Sequence, residues 1–238
     1  MPQDDDDLRT SFDAAASALT FNAPLGEPRA ADLLDRLAPS AADARALDLG
    51  CGSGELLLRV CDRHGLAGDG VDQQEKDLDR ARLRAADLGV ADRVSFHAAD
   101  ATTWDRPADL VLNVGAAHIW DGADAALAAL HRVTRPGGTL LFGDGVYERE
   151  PGAACREIFG DMPDLAGMAR TATTAGFRVL HAATSTTGEW DDFESDWRAG
   201  IERVATPGAR ELADRRREEY LGVYRGVVGF AWLVLTPA

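Results

Sequence analysis

Cysteine is scarce, basic residues are outnumbered, and long apolar runs are missing; each shortage closes off a class of protein. The 238 residues hold three cysteines, Cys51, Cys61 and Cys155. An odd count with no C-x-x-C pair argues against a disulfide framework or a zinc site and for a reducing compartment. Lys and Arg number 25 against 40 Asp and Glu, for a net charge of -15. That leaves little from which to build the basic face of a nucleic-acid binder, and an anionic membrane surface repels it. No run approaches the ~20 apolar residues of a membrane span. The opening MPQDDDDLRT is acidic where a secretory leader is basic and then apolar. The expectation is a cytoplasmic protein with no nucleic-acid or membrane partner, acting on a neutral or cationic small molecule. Its oligomeric state is open.

What is present is an alternation. Apolar residues make up 45% and charged residues 27%, ordinary for a globular chain. Residues 1–10 carry the run Asp4–Asp7, which repels itself and predicts a disordered tail. One domain is expected over 11–238. It would comprise an N-terminal helical cap (11–43), a ligand-binding core (44–145) and a C-terminal half with substrate-facing helices (146–238). Strands are predicted at 44–49, 67–72, from 93, at 109–114, after the turn at 136–138, from 177, and in the closing GFAWLVL. Helices fall between them: 54–64 with an apolar stripe of Leu56, Leu57, Val60 and Cys61, then 74–88, 122–132 and 164–175. One long helical region covers 189–228, its inward face marked by Tyr220, Leu221, Tyr224, Val227 and Val228. Such alternation predicts an α/β fold: a doubly wound, mostly parallel sheet with helices on both faces.

The most informative stretch is ALDLGCGSGELLLRV, 46–60. A strand ends at Leu49, and Gly50, Gly52 and Gly54 then give a turn with no Cβ to obstruct a ligand resting on backbone. In doubly wound sheets ligands bind beyond the carboxyl ends of the strands. A dinucleotide loop would read G-x-G-x-x-G; here the spacing is G-x-G-x-G, and Glu55 follows. An acid at 55 sits badly beside a pyrophosphate and suits a cationic ligand part. Asp72 ends the second strand, where a carboxylate can accept both hydroxyls of a ribose. Asp100 follows the third, where it can accept from an adenine amino group.

Asp48-Leu-Gly50-Cys51-Gly52-Ser53-Gly54, then Gly70-Val-Asp72, then Ala99-Asp100-Ala101, resemble the motifs of class I S-adenosylmethionine-dependent methyltransferases. The resemblance covers about residues 44–145. It implies a seven-stranded sheet of order 3-2-1-4-5-7-6 with the last strand antiparallel, and S-adenosylmethionine as cofactor. By the same resemblance Gly50 to Gly54 would face the cofactor's amino-acid part, Asp72 its ribose and Asp100 its adenine, and Asn113 and Val114 would lie under the methionine part. Asp48, Gln73 and Ala101 are further expected cofactor-binding residues.

Methyl transfer from a sulfonium needs alignment and desolvation, and a base only where the nucleophile is protonated. His118, after the fourth strand, is the candidate catalytic base; alternatively it packs on or hydrogen-bonds the cofactor. Trp120 stacks on adenine or walls the pocket. Asp144, Tyr147 and Glu148 follow the fifth strand. They either meet a cationic substrate, Tyr147 by a cation–π face, or form a solvated acidic loop. Phe21 and Asn22, in an irregular apolar segment, and Trp190 are further substrate candidates. Asp191 and Asp192 cap the next helix or touch substrate. Arg225 reads as an ion-pair partner, and His64, His97, His131 and His181 as surface or core residues. With Asn113 where a metal-assisted enzyme would carry an acid, no metal is expected. The rival readings are an NAD(P)-dependent oxidoreductase, a non-catalytic nucleoside-binding protein, and transfer of a group other than methyl.

Overall fold

The computed structural model describes residues 2–37, 39, 41 and 43–238, with side chains from Leu8 onward. The elements in chain order are α1 (Pro2–Ala18), α2 (Glu27–Arg36), β1 (Arg45–Leu49), α3 (Glu55–His64), β2 (Ala67–Asp72), α4 (Glu75–Asp87), β3 (Val94–Ala98), β4 (Ala108–Val114), α5 (Ala123–Val133), β5 (Thr134–Tyr147), α6 (Ala153–Phe159), α7 (Leu165–Thr174), β6 (Phe177–Thr184), α8 (Thr187–Glu202), α9 (Pro207–Glu219) and β7 (Val228–Pro237). The chain divides into two compact units. The first comprises Met1–Gly26, Val146–Asp164 and Ser185–Phe230; the second comprises Glu27–Gly145, Leu165–Thr184 and Ala231–Ala238.

The strands form one seven-stranded sheet in the order β3-β2-β1-β4-β5-β7-β6. β1 pairs in parallel with β2 and β4, so that Asp48 stands beside Gly70 on one side and Leu112 on the other. β6 and β7 run antiparallel, from Phe177↔Pro237 to Thr184↔Ala231. The central strands are buried on both faces, which explains the apolar runs of β1 and β4. α3 turns Leu57, Leu58, Val60 and Cys61 inward. Leu58 therefore takes the place expected of Leu56, which is only half-buried. Each such buried leucine contributes roughly 1.5–3 kcal/mol of hydrophobic stabilisation. The expected 136–138 turn lies inside β5 as an irregularity: Ala108 pairs with Thr134, and Leu110 already with Thr139. A Cβ on Gly138 would lie 2.6 Å from the Asp109 carbonyl oxygen, so only glycine fits that close approach.

In the first unit, α1 packs on α8 and α9 through Ala15, Trp197, Ile201, Ala209, Leu212 and Ala213. The acidic tail expected at 1–10 is helical from Pro2 onward. Met1 and the side chains of 2–7 lie outside the described residues. The long helical region expected over 189–228 is broken. Ala205 has φ 60, Thr206 caps α9 and Pro207 is its first residue. A π-turn over Tyr220–Tyr224 then shifts the helix phase, burying Tyr220 and Tyr224 and leaving Leu221 exposed.

Candidate active site

The glycine loop belongs wholly to the second unit. After β1 the chain turns back on β2: the Gly50 and Cys51 N–H groups donate to the Val71 carbonyl at 2.8 and 3.1 Å. Gly52 N–H donates to Asp72 Oδ2 at 2.8 Å, and Gln74 N–H to Asp72 Oδ1 at 2.9 Å. Asp72 thus clamps both the loop and the start of α4 while staying half-exposed. All three loop glycines have positive φ, +80, +51 and +73, a conformation that side chains penalise. Close approach adds a second constraint at two of them. A Cβ on Gly50 would stand 2.5 Å from Ala116 Cβ, and one on Gly54 would stand 2.7 Å from Phe96, whereas Gly52 faces open space. Ser53 and Cys51 are half-buried beside them. Burial first, then Asp48 and Asp72, pushes the Cys51 thiol well up, so it stays protonated.

Beneath the loop lie two polar groups that the protein leaves unanswered. Asp48 is only 5% exposed, and its carboxylate accepts no hydrogen bond from any described residue. Burial, followed by the nearby Asp72 charge, raises its pKa from 3.8 to about 8. Asn113 is fully buried at the end of β4; its Nδ2 donates to the Leu49 carbonyl at 2.7 Å, while its Oδ1 has no donor among the described residues. Glu55 differs from its expectation as a cation-facing acid. It is held by Arg59 (2.7 Å) and by both Arg84 nitrogens (3.0 and 3.2 Å), which lower its pKa against the burial that would raise it. The acid that lacks a cation is Asp48.

The remaining candidates of this unit lie along the carboxyl ends of its strands. Gln73 is exposed just after β2. Asp100 caps a short turn, Ala101–Thr103, accepting from Thr102 N (2.9 Å) and Thr102 Oγ1 (2.7 Å), contacts that hold its pKa down. Ala101 is buried under that turn, and Val114 ends β4 half-buried. His118 is exposed on the 3-10 turn Ala117–Trp120 that follows β4, with Trp120 half-buried behind it. Asp144, near the end of β5, is partly buried. Burial raises its pKa, against which the Gly145 N–H bond and the His118 charge pull down.

The first unit holds the other candidates. Phe21 is buried and Asn22 exposed. Tyr147, expected as an open cation–π face, is instead 6% exposed in a cluster with Cys155, Tyr220, Tyr224 and Val228, its hydroxyl donating to the Gly160 carbonyl at 2.6 Å. Glu148 is exposed. Trp190 stands edge-on to Phe193 and Tyr224, and its indole N–H has no acceptor among the described residues. The cap of α8 is Thr186 with Glu189 in a reciprocal capping box, not Asp191 or Asp192. Asp191 instead binds Arg225 through both oxygens (2.7 and 2.8 Å) and Tyr220 Oη (2.6 Å), and Arg225 with Tyr220 lowers its pKa to about 2. Glu194, which follows Trp190 and Asp191 on α8, is fully buried; it binds Arg216 at 2.9 Å through each oxygen and accepts from Tyr224 Oη at 2.9 Å. Its partners lie 22 and 30 residues away.

Comparison with known proteins agrees with this geometry. Residues 46–138 match the family model described as a methyltransferase domain. The uncharacterized protein YjhP of Escherichia coli (strain K12) is 30% identical over 199 residues, covering 79% of this chain and 79% of that protein. Trans-aconitate 2-methyltransferase of Streptomyces coelicolor is 30% identical over 225 residues, covering 84% of this chain and 74% of that protein. A SAM-dependent methyltransferase from Geobacter sulfurreducens, crystallised with S-adenosyl-L-homocysteine, superposes with a TM-score of 0.85 at 28% identity, covering 96% of this chain and 98% of that one.

The fold and these relatives define a methyltransferase. The chain belongs to the class I S-adenosylmethionine-dependent methyltransferases, and S-adenosylmethionine is its cofactor. The chemistry of the loop fits that group: a backbone cradle that a Cβ would fill, a buried carboxylate with no cation, and a buried amide oxygen with no donor. No helix among the described residues is long and apolar enough to cross a membrane.

Proposed function

We propose that this methyltransferase modifies a small molecule, with Asp48, Gly50–Gly54, Asp72, Gln73, Asp100, Ala101, Asn113 and Val114 holding the cofactor. When bound, the cofactor supplies a methyl group already activated as a sulfonium. The chain's work is then to orient, to exclude water and to manage one proton. The glycine backbone lets the ligand lie against the loop, Asp72 keeps the loop closed on β2, and Asp48 and Asn113 Oδ1 offer acceptors from below. His118 takes the acceptor's proton. It stands at the end of β4, and its charge is felt by Asp144 on the neighbouring strand. Asp144 and Trp120 contact the acceptor.

The observation that carries this reading is the pair of carboxyls with raised pKa, Asp48 and Asp144, at the carboxyl ends of β1 and β5. Perturbed acids of this kind concentrate at functional sites. The small-molecule class is supported by the 30%-identical relative whose name gives trans-aconitate as its substrate. The test is incubation with methyl-labelled cofactor and cell extract, followed by size fractionation. Label is expected in the low-mass fraction; label confined to protein or nucleic acid would overturn the small-molecule assignment.

A further inference from the structure

At the opposite end of the sheet from the glycine loop lies a second cavity, of ≈ 410 Å³, against the amino-terminal ends of β1, β4 and β5. Its charged and aromatic lining is Arg45, Asp69, Trp104, Asp105, Arg106 and Arg135. Three guanidinium groups meeting in a chain of net charge -15 call for a cause.

Arg45 and Arg135 are each paired with one acid, and Arg106 is left without a close one. Asp69 is shared: Oδ2 accepts from Arg45 Nη2 at 2.9 Å and Oδ1 pairs with His97 Nε2 at 2.7 Å. Its distance to Arg106 is 4.0 Å, beyond a hydrogen bond. Asp109 is shared too, accepting on Oδ2 from Arg135 Nη1 (2.6 Å) and from the Arg45 backbone N–H (2.9 Å). Arg106 instead lies over the Trp104 ring, 3.9 Å from its centroid. The buried Trp104 indole N–H finds no acceptor among the described residues. Asp105 is the one lining acid with an open carboxylate, and it is exposed. Donors therefore exceed acceptors around a cavity of small-ligand size. Arginine forks match carboxylate and phosphate oxygens bidentately.

We propose that this cavity binds a small organic oxyanion, a carboxylate or a phosphate monoester, independently of the cofactor. Arg106 and Arg135 would grip the anion, and Trp104 and Pro107 would wall its carbon skeleton.

The test is a tryptophan-fluorescence titration of the full chain with inorganic phosphate, with succinate, and with chloride at matched ionic strength. Because Arg106 stacks on Trp104, engaging its guanidinium should alter the emission. Saturation with phosphate alone assigns a phosphate ligand, with succinate alone a carboxylate, and with both the shared oxyanion chemistry. Removing one charge-assisted fork in Arg106→Gln should weaken binding by about tenfold or more. Arg106→Lys keeps the charge, loses the fork and should weaken it less. Trp104→Phe should abolish the signal. The melting-temperature rise with S-adenosylhomocysteine, unchanged in all three variants, shows that they are folded. No saturation, a chloride response equal to the others, or wild-type affinity in Arg106→Gln would overturn the proposal.

Discussion

Replacing Asp48 by asparagine should make the cofactor-free protein more stable in alkaline solution while blunting its response to the cofactor. The reasoning starts from a carboxyl that is 5% exposed, accepts no hydrogen bond from a described residue, and has its pKa raised by burial and by Asp72 from 3.8 to about 8. In the unfolded chain the same group titrates near 3.9. Below that value it is protonated in both states and folding carries no charge penalty. As pH rises toward about 8 the unfolded chain ionises first, so stability is lost across this window and levels off above it. At about 1.4 kcal/mol per pH unit the loss is at most about 5–6 kcal/mol. Asparagine removes the charge but leaves an amide to satisfy, which costs about 1–3 kcal/mol. The net gain at about pH 9 is then at most about 2–5 kcal/mol, or roughly 4–20 °C in Tm for a chain of this length. At about pH 5, where little of the window has been crossed, the gain should vanish or reverse. Thermal melts of both proteins without cofactor, at acid, neutral and alkaline pH, measure this directly. Parallel pH profiles, or a variant that melts at or below wild type in alkali, would refute the argument. The Tm rise with S-adenosylhomocysteine should be smaller in the variant, because the buried acceptor for a cation is gone.

Other substitutions separate the parts of the site. Gly52→Ala, strained by its positive φ but sterically open, should cost about 1–2 kcal/mol. Gly50→Ala adds a 2.5 Å clash with Ala116 and should cost more, with loss of the cofactor-induced Tm rise; equal effects of the two would show that the loop relaxes freely. His118→Gln should retain that Tm rise and lose about 10²–10⁴ in turnover, and a variant with full turnover would remove His118 as the base. Glu194→Ala strips the partner from Arg216 and Tyr224 and should destabilise by about 3–5 kcal/mol. A chemical melt within 1 kcal/mol of wild type, roughly, would mean that the buried pair merely breaks even.

The sheet was legible because its signals are local. Apolar runs such as LVLNV mark strands buried on both faces, and the glycine spacing after Leu49 marks the ligand turn. Asp72 and Asn113 stood out because they end strands, and strand ends are readable. Phase errors within helices had local causes as well. Leu56 and Leu58 compete for one stripe in the run LLL, and the π-turn at Tyr220–Tyr224 resets a periodicity that the sequence carries unbroken. What escaped were pairings across long separations. Glu55 looked like an acid free for a ligand until Arg84, 29 residues on, proved to hold it. Tyr147 looked like an open aromatic until its hydroxyl met Gly160. Signal for these lies in three-dimensional proximity, which spacing along the chain does not encode. Asp48 could be placed in the loop motif from sequence, but its isolation could not, since that is a statement about which cations are absent.

That isolation gives meaning to a charge of -15. Across the described chain the acids with shifted pKa divide cleanly. Glu27, Asp32 and Asp191 are lowered chiefly by hydrogen bonds to arginine; in Glu55 and Asp69 burial pushes upward, but hydrogen bonds to arginine and, for Asp69, His97 together outweigh it; Asp100 is lowered by Thr102. Asp48 and Asp144 alone are raised, both by burial. The protein thus surrounds its outlying acids with arginine and supplies none to these two, which stand at the carboxyl ends of β1 and β5 with Asn113 and the His118 turn following β4 between them. A fold optimised only for stability would neutralise such groups or replace them by apolar residues. Keeping them uncompensated costs stability. The cost is offset when a cation arrives from outside, because a carboxyl with its pKa near 8 can release its proton and take up the charge-assisted contacts that the protein withholds. Acidity elsewhere on the surface is incidental to this, since the lowered carboxyls already have their partners, whereas Asp48 has none and Asp144 has only the Gly145 N–H and the His118 charge.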